Sequence, residues 1–274
     1  MSSTSRTTHA PHASRFLLAL AATLLCGAST LGAQTALGSA QPFGVLGAST
    51  VTNTGPTTIV GDLGVSPGSA ITTTNGLTVT GGTHAADAIA TQAQVDATIA
   101  YNNFAALPFT SNLTGMDLGG MTLTPGVYFF ASSAQLTGNL FLNFLGNADS
   151  RFVFRIGSTL TTASASSVSG IGGLFGPNVF FQVGSSATLG TTTMFRGSIL
   201  AKQSVTLNTG ATITCGRAIA LNGAVTLDQN VVSTVCANAP MTTVPEPSTL
   251  ALLAGPSAFA LIGFLRRRRR SRVA

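Results

Sequence analysis

Residues 187–191 read ATLGT, and residues 205–209 and 225–229 read VTLNT and VTLDQ. The same pattern, a leucine between short polar residues, occurs upstream as AQLTG at 134–138 and STLTT at 158–162. Aligned on Leu136, Leu160, Leu189, Leu207 and Leu227, the segments lie 24, 29, 18 and 20 residues apart. Self-similarity at this spacing is the signature of a stacked repeat, in which each unit buries its apolar side against its neighbours. The longer intervals require insertions at corners, and GIGGLFGP at 170–177 supplies one.

A more apolar run precedes each segment, at 127–131, 152–156, 179–183, 198–201 and 218–221, and a more mixed run follows it. Three short strands per unit predict a mainly β chain folded as a three-faced parallel β-solenoid. An antiparallel sandwich would also accommodate short strands, but it gives no reason for the leucine register. Side chains alternate along a strand, so each aligned leucine points inward and its two neighbours point out. The outward pairs are then Gln135/Thr137, Thr159/Thr161, Thr188/Gly190, Thr206/Asn208 and Thr226/Asp228. Stacked at the roughly 4.7–4.9 Å spacing of neighbouring strands, they form a flat ladder of hydroxyl and methyl groups.

One segment breaks the strand-and-turn pattern. Residues 84–106, HAADAIATQAQVDATIAYNNFAA, contain neither Gly nor Pro, and Ala86, Ile89, Ala93, Ala97 and Ala100 recur at helical spacing. With Thr83 as N-cap and Pro108 as stop, the spacing predicts one long helix over about 84–106, packed alongside the solenoid.

Composition sets the class. Only 7% of the 274 residues are charged and 45% are hydrophobic, with 31 Gly and no Trp, against about 25% charged in an ordinary soluble domain. The formal charge of +6 resides in the tails: Arg6 and Arg15 at one end, Arg266 to Arg270 and Arg272 at the other. Between Gln34 and Thr243, Arg151, Arg155, Arg196, Lys202 and Arg217 face Asp62, Asp87, Asp96, Asp117, Asp149 and Asp228, which leaves one net negative charge. Such a body lacks the cations needed to neutralise phosphates, so nucleic acid is excluded as a partner.

Both ends read as addresses. Residues 1–33 have the three regions of a secretory signal peptide: a polar start with two Arg, the apolar run 16–26 and a small polar stretch ending near Ala33. At the other end, Val244-Pro245-Glu246-Pro247-Ser248 precedes the apolar run 249–265, long enough for a transmembrane helix, and then the arginine cluster. Residues 244–274 resemble the PEP-CTERM sorting signal of Gram-negative bacteria. That resemblance implies recognition of Pro245, Glu246 and Pro247 by an exosortase after passage through the secretion machinery. It also implies transient anchoring in the inner membrane, then release to the cell surface or the medium. Of the three cysteines, Cys26 leaves with the signal peptide. Cys215 and Cys236, 21 residues or about one coil apart, are then expected to form a disulfide in an oxidising compartment.

Residues 34–243 are the expected folded domain, and within it about 37–236 resemble a known family. The stretches that carry the likeness are FGVLGASTVTNTGPTTIVGDLGVSPG at 43–68, GGTHAADAIATQAQVDATIAYN at 81–102 and LTPGVYFFASSAQLTGNL at 123–140. FRIGSTLTTASASSV at 154–168, FQVGSSATLGTTTMFRGSILA at 181–201 and TLNTGATITCGRAIALNGAVTLD at 206–228 extend it. They are similar to the ice-binding-protein-like antifreeze proteins of bacteria, fungi and microalgae. The resemblance implies a discontinuous β-solenoid with one long helix alongside, and adsorption to an ice surface through one flat face. Some members carry a Thr-Ala/Gly-x-Thr/Asn motif on successive coils. Thr209-Gly210-Ala211-Thr212 matches it fully, while 162–165 and 137–140 match at their first two positions. The expected ice-binding residues are Thr137, Thr159, Thr161, Thr188, Thr206, Asn208, Thr209, Thr212 and Thr226.

No catalytic constellation competes with that reading. The body holds a single histidine, His84, at the expected helix start, and its acids are scattered, so neither a Ser-His-Asp triad nor a zinc cluster can be assembled. Asp87 and Asp96 fall on the helix surface, and Asp62 sits in the turn Gly61-Asp62-Leu63-Gly64, where Asp is favoured for its own backbone bonds. No enzyme activity, metal or cofactor is expected. The alternative function is a non-catalytic structural or adhesive role at the cell surface or in the extracellular matrix, with extracellular polysaccharide as partner.

Overall fold

The computed structural model describes residues 36–236 except Leu174. The expected signal peptide at 1–33, Pro245-Glu246-Pro247 and the apolar run 249–265 lie outside the described residues. Every strand pairing is parallel, and the strands assemble into three sheets of nine, seven and eight strands.

The chain builds the stack in two instalments. The first coil uses Phe43–Gly47, Thr50–Asn53 and Thr57–Val60, one strand for each sheet, and the second uses Asp62–Val65, Ala70–Thr73 and Leu77–Val79. After the strand Thr83–Ala85, helix α1 (Ala88–Ala106) carries the chain along the outside of the first sheet. Five further coils then run from Gly126–Phe130 through Val231–Ser233. The last of these docks beneath the first coil, pairing Ala218–Ala220 with Phe43–Gly47 and Val225–Leu227 with Thr50–Asn53. The solenoid is therefore continuous in space and interrupted in sequence.

Inside, leucine, valine and phenylalanine fill the prism. Phe154 and Phe181, on adjacent coils, stack with centroids 4.4 Å apart, and Phe195, on the same coil as Phe181, meets it from the third sheet at 4.7 Å. Each coil thus offers its aromatic or aliphatic side chain to the next at the strand spacing, and burial of this column is what orders the backbone of both exposed faces. Backbone approach is closest at the corners: a Cβ on Gly216 would lie 1.9 Å from the carbonyl oxygen of Gly197. The insertion at 170–177 occupies the corner between the third and first sheets, where Phe175 is buried against Phe144.

Helix α1 starts later than its periodicity predicts. Residues 83–85 are taken by a strand pairing with Leu63–Val65, so Thr83 is not the cap. Asp87 is the N-cap, its carboxylate accepting from the backbone N–H of Ala90 at 2.8 Å. The buried face is Ala90, Ala93, Ala97, Ala100 and Phe104, while Ile89 is 54% exposed. Small side chains allow the helix to approach Leu46, Ile219, Leu200, Phe180 and Val153 of the first sheet, which together form a second core. Phe104 closes it by stacking on Phe180 at 4.6 Å. Asp96 also serves this layer, accepting from the backbone N–H and the hydroxyl of Ser39, both at 2.7 Å. It pins the segment 36–42 over the same sheet.

Candidate functional site: the threonine face of the second sheet

With the first sheet covered by α1, the second and third sheets are the open faces. On the second, one outward column runs through Gln135, Thr161, Thr188, Thr206, Thr226, Thr52 and Thr72, each paired in register with the next. Six consecutive rungs are threonine. Under them lie Ala134, Leu160, Ala187, Val205, Val225 and Val51, all fully buried. Rigid packing on one side and β-branched χ1 restriction on the other hold the ladder in place. Thr52 also hydrogen-bonds Thr226 across the junction of the two instalments, at 3.4 Å.

Flanking columns keep the face shallow. One edge carries Thr137, Ala163, Gly190, Asn208 and Asp228, with Thr54 and Thr74 on the first and second coils. The other carries Ser133, Thr159, Ser186 and Ser204, where the Thr159 hydroxyl donates to Ser133 Oγ at 2.8 Å. Asp228 is the one carboxylate in these columns, and it accepts from the Thr209 hydroxyl at the corner.

Two features differ from the leucine alignment. At residues 158–162 the register is displaced by two: Leu160 pairs with Ala134 and Ala187, and Thr162 takes the slot opposite Leu136. Alternation has period two, so a slip of two residues keeps leucine inward and threonine outward, and inspection of the alternation alone does not reveal it. Thr161, not Thr159, is therefore the rung of the central ladder. Thr162 is buried, and its hydroxyl is satisfied by Thr193 at 2.9 Å and by the Gly190 N–H at 2.8 Å. Second, Thr209-Gly210-Ala211-Thr212 turns a corner. Gly210 adopts φ +73°, Ala211 points inward, and Thr212 emerges on the third sheet, paired with Met194 and Val231.

The expected residues thus divide. Thr161, Thr188, Thr206 and Thr226 share the central column, Thr137 and Asn208 one edge, and Thr159 the other. Thr209 sits at the corner and Thr212 on a different face. Thr52 and Thr72 complete the ladder and were not among the expected residues, because the leucine search passes over them. Residues 51–55, VTNTG, align with VTLNT at 205–209, with Asn53 in the leucine slot. Asn53 is buried there, and its amide donates to Thr73 Oγ1 at 3.1 Å and to the Asn75 carbonyl at 2.9 Å.

Away from this face, the polar groups singled out in the sequence have local partners. His84 Nδ1 and Asp87 Oδ2 are 2.8 Å apart, and Asp62 accepts from the Gly82 N–H at 2.7 Å. Cys215 and Cys236 are bridged, tying the strand Thr212–Thr214 to the segment that follows the last strand. Among the described residues, no group of three or more His, Cys, Asp or Glu could hold a metal ion, and no helix is long and apolar enough to cross a membrane.

Comparison with known proteins gives a consistent result. Residues 45–233 match the family model described as "Ice-binding-like". An ice-binding protein of Nostoc sp. (strain HG1) is 56% identical over 237 residues, which cover 85% of this chain and 88% of that one. One from Colwellia sp. is 33% identical over 72% of this chain and 82% of its own. Among solved structures, an ice-binding protein from an Antarctic biological consortium superposes with a TM-score of 0.68 at 45% identity, covering 72% of this chain and 89% of that one. That of the Antarctic ascomycete Antarctomyces psychrotrophicus gives 0.66 at 38% identity, over 73% and 98%.

Proposed function

Because the chain belongs to the ice-binding-like family, we propose that it is a non-catalytic ice-binding protein that adsorbs to ice through the threonine face of the second sheet. The observation that carries the assignment of the face is the uninterrupted ladder Thr161–Thr188–Thr206–Thr226–Thr52–Thr72. Methyl groups at the strand repeat order the water next to them, and the hydroxyls between them anchor it by hydrogen bonds. Each contact is weak. They add because the scaffold is built before ice is met, so little conformational entropy is lost on adsorption. A bound layer of this kind pins the ice front and stops growth and recrystallisation.

The site of action follows from the ends of the chain. Residues 1–33 direct export, and residues 244–274 act as a PEP-CTERM signal, with 249–265 as a transient transmembrane anchor. An exosortase recognises Pro245-Glu246-Pro247, and the body reaches the cell surface or the medium, where ice forms.

The test is thermal hysteresis with ice-crystal shaping on the protein lacking residues 1–33 and 244–274, beside its Thr206→Tyr and Thr188→Tyr variants. Faceted crystals and a freezing gap, both lost in folded variants, support the reading. A gap that survives both substitutions moves adsorption to another face, and round, freely growing crystals from the folded parent reject ice binding.

A further inference from the structure

An open groove of about 280 Å³ lies where the C-terminal half of α1 passes over the first sheet. Its walls include Tyr101 from the helix, Phe129, Arg155 and Gln182 from the sheet, and Lys202 just beyond a strand end. Phe129, Arg155 and Gln182 are successive rungs of one column, and the next rung is Leu200, part of the second core. The column changes from apolar to polar on reaching the groove.

The charge of the groove is unusual for this chain. Arg155 and Lys202 are two of only five basic side chains in the body. No carboxylate lines the groove, and among the described residues the single ion pair is His84 with Asp87. Arg155 is held rather than free: Nη1 donates to the Leu107 carbonyl, and the guanidinium sits 5.4 Å from the Phe129 ring centroid. Phe129 is itself fixed by stacking on Phe109 at 5.1 Å. Gln182 is only 6% exposed, yet it borders the groove beside Tyr101. A preorganised arginine and a lysine without a counter-charge, beside aromatic rings and an amide, match a ligand that carries both a carboxylate and a hydroxylated ring.

We propose that this groove binds a uronate unit of an acidic polysaccharide, the carboxylate between Arg155 and Lys202 and the sugar ring against Phe129 and Tyr101. A shallow, open groove suits a polymer passing through better than a small anion, which is usually enclosed. The groove lies on the first-sheet side, so the threonine face stays free when it is filled. The inference stands independently of ice adsorption, and the two fail separately.

The experiment is an NMR titration of the folded protein with trigalacturonate at low ionic strength, with maltotriose and inorganic sulfate as comparisons. Trigalacturonate should shift the amide resonances of Tyr101, Gln182 and Gly184, and maltotriose should not. Lys202→Gln should weaken binding about tenfold and Lys202→Arg should restore it, while Thr206→Tyr leaves it unchanged. Arg155→Gln should weaken it at least as much, but it also loses the bond to Leu107, so Lys202→Gln decides. No saturable shift, equal response to maltotriose, or indifference to Lys202→Gln overturns the proposal. Sulfate bound as tightly as trigalacturonate would reduce the groove to an anion site and overturn the saccharide assignment.

Discussion

The second and third sheets are built from the same coils, over the same core and at the same rise, and both face outward without a covering helix. Yet their surfaces differ. One column of the second sheet is threonine at six successive rungs, whereas the matching column of the third reads Asn139, Ser167, Met194, Thr212, Val231, Thr58 and Thr78. Its neighbour contains Phe141, Ser169, Arg196, Thr214 and Ser233. Threonine suits any exposed strand because it fits a pleated surface and pairs across strands. That preference acts equally on both faces, so it cannot account for a ladder found on only one. Met194, 62% exposed, and Arg196 also project from the third sheet, where a flat lattice would meet them first. The third face is an internal control for the second.

The largest expected effect comes from placing the same substitution on each. Thr206→Tyr stands a ring in the middle of the ladder, between Thr188 and Thr226, and should abolish nearly all thermal hysteresis. Thr212→Tyr adds the same ring beside Met194 and should leave it almost intact, with circular dichroism unchanged in both. Equal losses would mean that the two faces act together, and the comparison would break.

A smaller effect is expected at the seam. Thr52 and Thr72 are supplied by the first two coils, which precede α1 in sequence but extend the ladder in space. Thr52→Tyr leaves Thr161, Thr188, Thr206 and Thr226 as an unbroken run, and should reduce hysteresis by about half if weak contacts add. Full activity in this variant would confine adsorption to the five later coils.

The seam also marks the limit of what the sequence discloses. Leucine recurrence betrays the solenoid, because burial of one side chain per coil imposes a period on the chain. The alternation betrays the outward threonines for the same reason. Two things escape. Asn53 and Thr73 sit in the leucine slots of the N-terminal coils, stabilised by hydrogen bonds rather than by apolar burial, so a search keyed to leucine misses Thr52 and Thr72. Thr162 does the same at the coil that slips by two. The start of α1 escapes for a different reason: Thr83 and Asp87 are both acceptable caps, and only the pairing of 83–85 with the second coil decides between them.

The disulfide should affect stability without changing the face. Cys215–Cys236 closes a loop of 21 residues beside the third sheet, for which loop-closure entropy gives about 3 kcal/mol. Reduction should therefore lower the melting temperature by about 6–12 °C for a domain of this size, as read by calorimetry. Near the freezing point the fold persists, and hysteresis should be unchanged. A loss of hysteresis at temperatures where circular dichroism stays native would show that strain at the third sheet reaches the ladder.

The smallest effect on the ice face should come from pH. The threonine hydroxyls do not titrate, so any acid sensitivity must come from the carboxylates that hold the fold. Asp87 is kept below the ordinary carboxyl value of 3.8 by the Ala90 N–H and then by His84. Asp96 is kept below it by the backbone N–H and then the hydroxyl of Ser39. A carboxyl whose folded value is depressed stabilises fully above its unfolded value, and that stabilisation is lost as pH falls through the folded one. Stability should thus be level from neutrality down to about pH 5 and decline below 3.8, with the cover of the first sheet loosening first. Asp87→Ala should lower the melting temperature by a few degrees at pH 7 and show less of the decline in acid. Asp117, beside Gln135 at the end of the second sheet, is likewise kept below 3.8, its burial outweighed by the bonds from the Gly119 and Thr137 N–H groups. All three carboxyls are ionised at both values, so hysteresis measured at pH 5 and pH 7 should agree; a marked difference between them would place a further titrating group on the adsorbing surface.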